Sequence, residues 1–221
     1  MKRIAVVSLL TLALTVIVGV PALAQGTPDV ITVGSGSGSG VVDIPVSIRD
    51  TANTPLGIDQ PAGSRIQSYS LRVTYSPASA VQSISFSRAG ITAPLTPTFE
   101  SSPSVPGSIA LLGNFDETTN LIPFTSNAAL PGNQVAHLLV TIAPGTPAGT
   151  NITLTLDPVL TQLTDEGGTP ATVETVNNGR LLLVNGAILV TAAAPVPTMS
   201  QWALALLAAA LAVVALKTRL S

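Results

Sequence analysis

"VVDIPVSIRD", residues 41–50, decides what kind of chain this is. Val42, Ile44, Val46 and Ile48 alternate with Asp43, Pro45, Ser47 and Arg49. A period of two puts one set on each face of an extended strand, one dry and one wet. The pattern recurs downstream. "IQSYSLRVTY" (66–75) puts Tyr69, Leu71, Val73 and Tyr75 on the dry face and Ser68, Ser70, Arg72 and Thr74 on the wet one. "VAHLLVTI" (135–142) does the same with Ala136, Leu138, Val140 and Ile142. "NITLTLD" (151–157) buries Ile152, Leu154 and Leu156 and turns its threonines outward, where a branched β-carbon suits extended backbone. Further strands are expected at 30–33, 81–86, 109–115, 171–176 and 180–184.

Turn-forming clusters separate these runs: "SPAS", "LPGN", "APGTPAGT", "DEGG" and "NNG". "GSGSGSG" (34–40) reads as a flexible loop leaving the first strand. Residues 92–107, "TAPLTPTFESSPSVPG", read as a long proline-rich excursion over the surface, because proline cannot donate to a ladder. No stretch from 25 to 191 carries a sustained helical period. Many short strands without helices between them predict an all-β fold, an antiparallel sandwich of jelly-roll or immunoglobulin-like type.

The two ends of the chain are different. "MKRIAVVSLLTLALTVIVGVPALAQ" has the three parts of an export signal: Lys2 and Arg3, an apolar run from 4 to about 20, and a small-x-small site at Ala22 and Ala24. Cleavage there would leave Gln25 as the first residue, and an uncleaved N-terminal anchor is the alternative. The last stretch, "VPTMSQWALALLAAALAVVALKTRLS" (196–221), has an apolar run from 202 to 216 that ends at Lys217 and Arg219. As a helix it would span about 22 Å against roughly 30 Å of hydrocarbon, so crossing a membrane requires some residues on either side. Trp202 suits the outer interface and the two cations suit the cytoplasmic side. The expected organisation is a signal peptide at 1–24, a domain at 25–187, a linker at 188–195 and a tail at 196–221 with a transmembrane helix at 202–216.

Composition excludes several functions. Cysteine is absent, which removes disulfides, thiol nucleophiles and Cys-based metal sites. Between the ends stand five arginines, no lysine and all eleven acidic residues, a net of −6. Such a surface repels nucleic acid, since neutralising phosphates takes clustered cations. The one histidine, His137, lies on the outward side of its strand, and no serine sits in a G-x-S-x-G elbow. Asp116-Glu117 and Asp165-Glu166 lie in turn-like stretches where carboxylates make poor general acids. Asp157 with Asp165 and Glu166 is a candidate oxygen set for a structural Ca²⁺, without EF-hand spacing behind it. "GSGSGSG" lacks the Lys-Ser/Thr ending and the following helix of a phosphate loop. The sequon Asn151-Ile152-Thr153 falls inside an expected strand, and chance explains it best. An enzyme is not expected.

The order of the segments resembles a cohesin domain over residues 28–185. The resemblance rests on "VVDIPVSIRD", "IQSYSLRVTYSPASAVQSISFSRAG", "GNQVAHLLVTIAPGTPAGTNITLTL" and "LTDEGGTPATVETVNNGRLLLV". Tyr75-Ser76-Pro77 is similar to the Y-x-P turn of cohesins, the stretch from Gly132 to Ile142 to their glycine-opened strand, and Asn178-Gly179-Arg180 with Leu181 to their closing strand. The resemblance implies a nine-stranded sandwich, related in fold to certain carbohydrate-binding modules. It also implies non-catalytic capture of dockerin modules on one flat sheet face.

Residues 196–202, "VPTMSQW", look like the I-P-T-L-S-E-W signature of an IPTL-type C-terminal sorting segment. Pro197, Thr198, Ser200 and Trp202 match it outright, whereas Val196, Met199 and Gln201 depart from it. This likeness implies a Gram-negative host, recognition by an exosortase-type membrane transpeptidase and passage through the inner membrane. The alternative is a permanent tail anchor. Taken together, the residues and resemblances predict an exported, non-enzymatic surface or matrix protein whose sandwich binds another protein. A carbohydrate-binding module for envelope or extracellular polysaccharide is the alternative.

Overall fold

The computed structural model describes residues 27–51, 66–115, 120–125, 127–165 and 173–193, with 206 and 208–210. The cleavage site (Ala22, Ala24, Gln25), the sorting motif at 196–202 and the cations Lys217 and Arg219 lie outside them. Residues 206 and 208–210 are helical, but among the described residues no helix is long and apolar enough to cross a membrane.

Fourteen strands are described. They are β1 (Asp29–Val33), β2 (Gly36–Gly38), β3 (Val41–Arg49), β4 (Ile66–Ser76), β5 (Val81–Arg88), β6 (Phe99–Ser101) and β7 (Ser104–Val105). Then come β8 (Ser108–Asn114), β9 (Asn133–Ile142), β10 (Asn151–Leu156), β11 (Gln162–Asp165), β12 (Val173–Glu174), β13 (Leu181–Val184) and β14 (Gly186–Val190). One sheet has the order β13-β1-β3-β9-β5. The other runs β12-β11-β4-β10-β14-β2, with β8 on β4 and both β6 and β7 on β8. β10 and β11 share one edge of β4, at Val73–Ser76 and Ile66–Ser70, and β8 takes the other.

The alternation read from sequence is what the two sheets bury. Val42, Ile44, Val46 and Ile48 face Tyr69, Leu71, Val73 and Tyr75 across the core, joined by Leu138, Val140, Ile152 and Leu154. Phe115, fully buried, packs on the Tyr69 ring with centroids 5.9 Å apart.

Four expectations are corrected. The Gly-Ser run is no loop throughout, because Gly36–Gly38 forms β2 and pairs in parallel with Ile188–Val190 of β14. Glycine lets this strand approach β3 closely: a Cβ on Gly36 would lie 2.8 Å from Ile44 Cδ1, and one on Gly38 2.9 Å from Val42 Cγ2. The proline-rich stretch is no plain excursion, since it contributes β6 and β7 as short edge strands, with Pro103 between them. The sandwich is not wholly antiparallel: β1–β13 and β2–β14 are parallel, their long crossovers supplied by the intervening domain. The last strand expected, at 180–184, is followed by another that reaches Val190, inside the stretch expected as a linker, because Ile188 and Val190 are both buried.

Candidate functional site

The outer face of the nine-stranded sheet follows from the same alternation. Since Tyr69, Leu71 and Val73 point inward, Ser68, Ser70, Arg72 and Thr74 point out from β4. The register sets two rows across four strands. One is Phe99, Asn114, Ser68 and Thr164, and the next is Ser101, Leu112, Ser70 and Gln162. All of these but Ser101 line a shallow depression of about 200 Å³, over Gly113. No side chain in these rows is charged, and Arg72 stands at the next outward position along β4.

The turn between β10 and β11 shapes one side of this face. Arg72 has no ladder partner there, so its N–H donates to Thr161 Oγ1 at 3.2 Å and its carbonyl accepts from the Asp157 N–H at 2.8 Å. Asp157 Oδ1 accepts from the N–H groups of Val159 and Leu160, at 2.8 and 3.0 Å. The Ser70 hydroxyl donates to the Leu160 carbonyl at 3.1 Å, which holds the turn against the outward side of β4. Val159 and Leu160 are thereby left 68% and 48% exposed beside Arg72. On the far side Phe99 is 55% exposed. Three strand spacings separate these apolar points, roughly 14 Å.

Tyr69 supports the face from beneath. Its ring occupies the space where a Cβ on Gly113 would stand, 2.8 Å from two ring carbons, which explains the glycine. Burial, and then the nearby Glu100 carboxylate, push its phenol up from 10.0 to about 12. Thr92 and Arg88 pull weakly the other way. A raised phenol pKa means that the folded state holds the proton more tightly than the unfolded chain. Its stabilising effect is therefore complete below pH 10 and is lost as pH rises through 12. Two pKa units correspond to about 2–3 kcal/mol. Urea denaturation at pH 9 and at pH 12 should show that loss in the wild type and not in Tyr69→Phe. Equal losses in both proteins would remove the assignment.

Comparison with known proteins places both parts of the chain. An IPTL-CTERM motif matches residues 194–219, a span that holds the whole of 196–202 together with Lys217 and Arg219. No curated protein matches the chain. Among solved structures, the seventh type I cohesin of ScaB from Pseudobacteroides cellulosolvens is similar at 20% identity and a TM-score of 0.52. The match covers 77% of this chain and 97% of that one. The sixth cohesin of scaffoldin B from Acetivibrio cellulolyticus, solved in complex with a Cel5 dockerin variant, is similar at 16% identity and a TM-score of 0.53. That match covers 74% of this chain and 99% of the other. CaCohA2 from Clostridium acetobutylicum gives 19% and 0.50, covering 77% and 95%. The sandwich has the cohesin fold. A domain of that fold is followed by a C-terminal segment that matches the IPTL-CTERM motif.

The remaining candidates lie elsewhere on the cohesin-like sandwich. His137 is outward on β9, on the five-stranded sheet, with its Nδ1 2.6 Å from Asp43 Oδ1. Ser87 of β5 stands opposite His137 in the register, on an exposed sheet surface with Pro45 at the same position of β3.

The calcium set does not assemble. Asp157 lies beside Arg72, whereas Asp165 pairs with Ile66, six residues along β4 and so about 20 Å away. The Asp157 carboxylate caps its own turn, and Glu166, like Asp116 and Glu117, lies outside the described residues. Among the described residues no three His, Asp or Glu side chains could share a metal. Sequence reasoning missed the Val159–Leu160 turn. Its only signal was an Asp-Pro followed by two apolar residues between strands.

Proposed function

We propose that this is an exported, non-enzymatic surface or matrix protein that binds another protein on the outer face of its nine-stranded sheet. The observation that carries the reading is the pattern of that face. Two uncharged rows, with Arg72 next to them, lie between exposed apolar points at Phe99 and at Val159 and Leu160. Protein interfaces concentrate their energy in a few aromatic, apolar and arginine anchors set in polar surroundings. Similarity to cohesins supports the same class of partner, because one of those structures was solved with a dockerin bound.

The tail gives the address. An export signal ending at Ala24 would start the mature chain at Gln25, and Lys217 and Arg219 would hold the tail on the cytoplasmic side of the inner membrane. An exosortase-type transpeptidase would then recognise Pro197-Thr198 within 196–202 and release the domain to the surface. The intact mass from the native host is expected to correspond to a chain from Gln25 to about Pro197, in the surface or matrix fraction. A chain retaining Trp202 to Ser221 in the inner membrane would show an anchor instead.

The binding reading is tested by capturing proteins from the host's extracellular fraction on the wild type and on single variants Phe99→Asp, Arg72→Glu and Leu160→Asp. Each anchor is expected to weaken one discrete partner by at least about 30-fold, which is roughly 2 kcal/mol. His137→Ala, on the opposite sheet, should leave binding unchanged. Equal retention by all variants would remove the face from the argument. Retention on polysaccharide beads, reversed by free sugar, would replace the protein partner by a carbohydrate.

A further inference from the structure

The sandwich ends differently at its several open strand edges. Among the described residues β12 has two residues and β2 three, β13 has four, and β6 and β7 are short and interrupted by Pro103. β5 is different: eight residues, "VQSISFSR", pair, among the described residues, with β9 on one side alone. It has no proline and no charge before Arg88. Exposed edges are normally guarded by brevity, charge or proline, because their free N–H and C=O groups template another strand.

Two further features lie along the same edge. Cavities of about 430 and 300 Å³ separate β5 from β6 and β7 of the other sheet. The core is incompletely covered there, with Val81 and Ile84 only half-buried and Val105 of β7 57% exposed. The charges at the edge are already matched within the molecule. Arg88 Nε lies 2.7 Å from Glu100 Oε1, and Arg88 Nη1 donates to the carbonyls of Thr92 and Leu95. A partner here has no charge to neutralise.

We propose that β5 pairs with β5 of a second copy of this chain, antiparallel about a two-fold axis through Ser85. The strand's own sequence selects this partner. Residues directly opposite in an antiparallel pair share a face, so the axis must pass through a residue. With Ser85 on the axis, Ile84 meets Phe86 of the copy on the core side, and Ser83 meets Ser87 on the outer side. Apolar then faces apolar and hydroxyl faces hydroxyl, which is the self-complementarity an isologous contact needs. The two five-stranded sheets would become one of ten strands, and the two half-covered cores would meet across the axis. The outer face of the nine-stranded sheet stays free, so this inference stands independently of the proposed partner site.

The chain has no cysteine, which makes a single introduced thiol diagnostic. Ser85→Cys in the full chain, in its native host, is expected to give a disulfide-linked dimer under mild oxidation. Its Cβ atoms across the axis would lie within about 5.5 Å of each other, close to disulfide range. Thr155→Cys, on the outer face of the nine-stranded sheet, should cross-link at least 10-fold less. Ser85→Lys, which guards the edge, should convert the full chain in detergent from dimer to monomer by light scattering. Equal cross-linking of the two cysteine variants, or a monomeric wild type, would overturn the proposal. If the lysine variant aggregates, the comparison of cysteine variants decides alone.

Discussion

Phe115→Ala is expected to lower the stability of the sandwich by about 3–5 kcal/mol. Phe115 is fully buried between the sheets, and its ring packs against Tyr69 at 5.9 Å with the planes 49° apart. Its backbone is pinned as well, the N–H to the Gln67 carbonyl at 3.1 Å and the carbonyl by Gln67 Nε2 at 2.6 Å. The site therefore cannot collapse into the space a removed ring leaves, and the cavity term adds to the lost transfer energy. Domains of this size have about 5–15 kcal/mol in all, and this one has no disulfide to fall back on. The melting temperature of the soluble segment 25–194 should fall by about 10 °C. A fall equivalent to less than about 1 kcal/mol would mean that the sheets close over the gap.

The second large effect is expected at Gly186. A Cβ there would fall on the carbonyl oxygen of Gly34, where the chain crosses from β1 to β2. The obstructing atom is backbone and has no rotamer to escape to, so Gly186→Ala should cost about 3 kcal/mol, the upper end for overpacking. Gly36→Ala makes the contrast. Its Cβ would meet the flexible ends of Ile44 and Val42, at 2.8 and 3.0 Å, and a cost of about 1 kcal/mol is expected. Ile44→Val removes the Cδ1 that Gly36→Ala strikes, so the two should be less damaging together than their sum. No side-chain truncation should rescue Gly186→Ala in that way. Urea denaturation of the three single variants and the double variant checks both statements, and additive effects for the pair at 36 and 44 would contradict the geometry.

How much of the proposed interaction face is legible in the sequence differs from residue to residue. Alternation alone puts Ser68, Ser70, Arg72 and Thr74 on the wet side of their strand, and they form its centre. Phe99 falls in a stretch that reads as a loop, because two prolines flank it and no period is visible in three residues. Val159 and Leu160 carry no periodic signal either, and their exposure depends on Asp157, Thr161 and Ser70 holding a turn against β4. The calcium set failed for a related reason. Asp157 and Asp165 are eight positions apart in sequence, but the β10–β11 turn leaves Asp157 beside Arg72 in the middle of β4 and carries Asp165 to Ile66 at its start.

By itself the sequence determined the class of the fold, the inward residues of the long strands and the C-terminal sorting motif. All of these are local: side chains alternate with a period of two whatever the partner strand, and a sorting motif is read as linear text. The tertiary structure alone decided that Gly36–Gly38 is a strand, that β13 runs parallel to β1 and that β5, among the described residues, pairs on one side only. The first two depend on pairings between residues about 150 apart, such as Gly36 with Ile188 and Asp29 with Leu181, and the third on β5 pairing with β9 about 50 residues on. A strand's hydrogen bonds are made to another segment of chain, so its own residues show which face is dry and leave its neighbour unspecified.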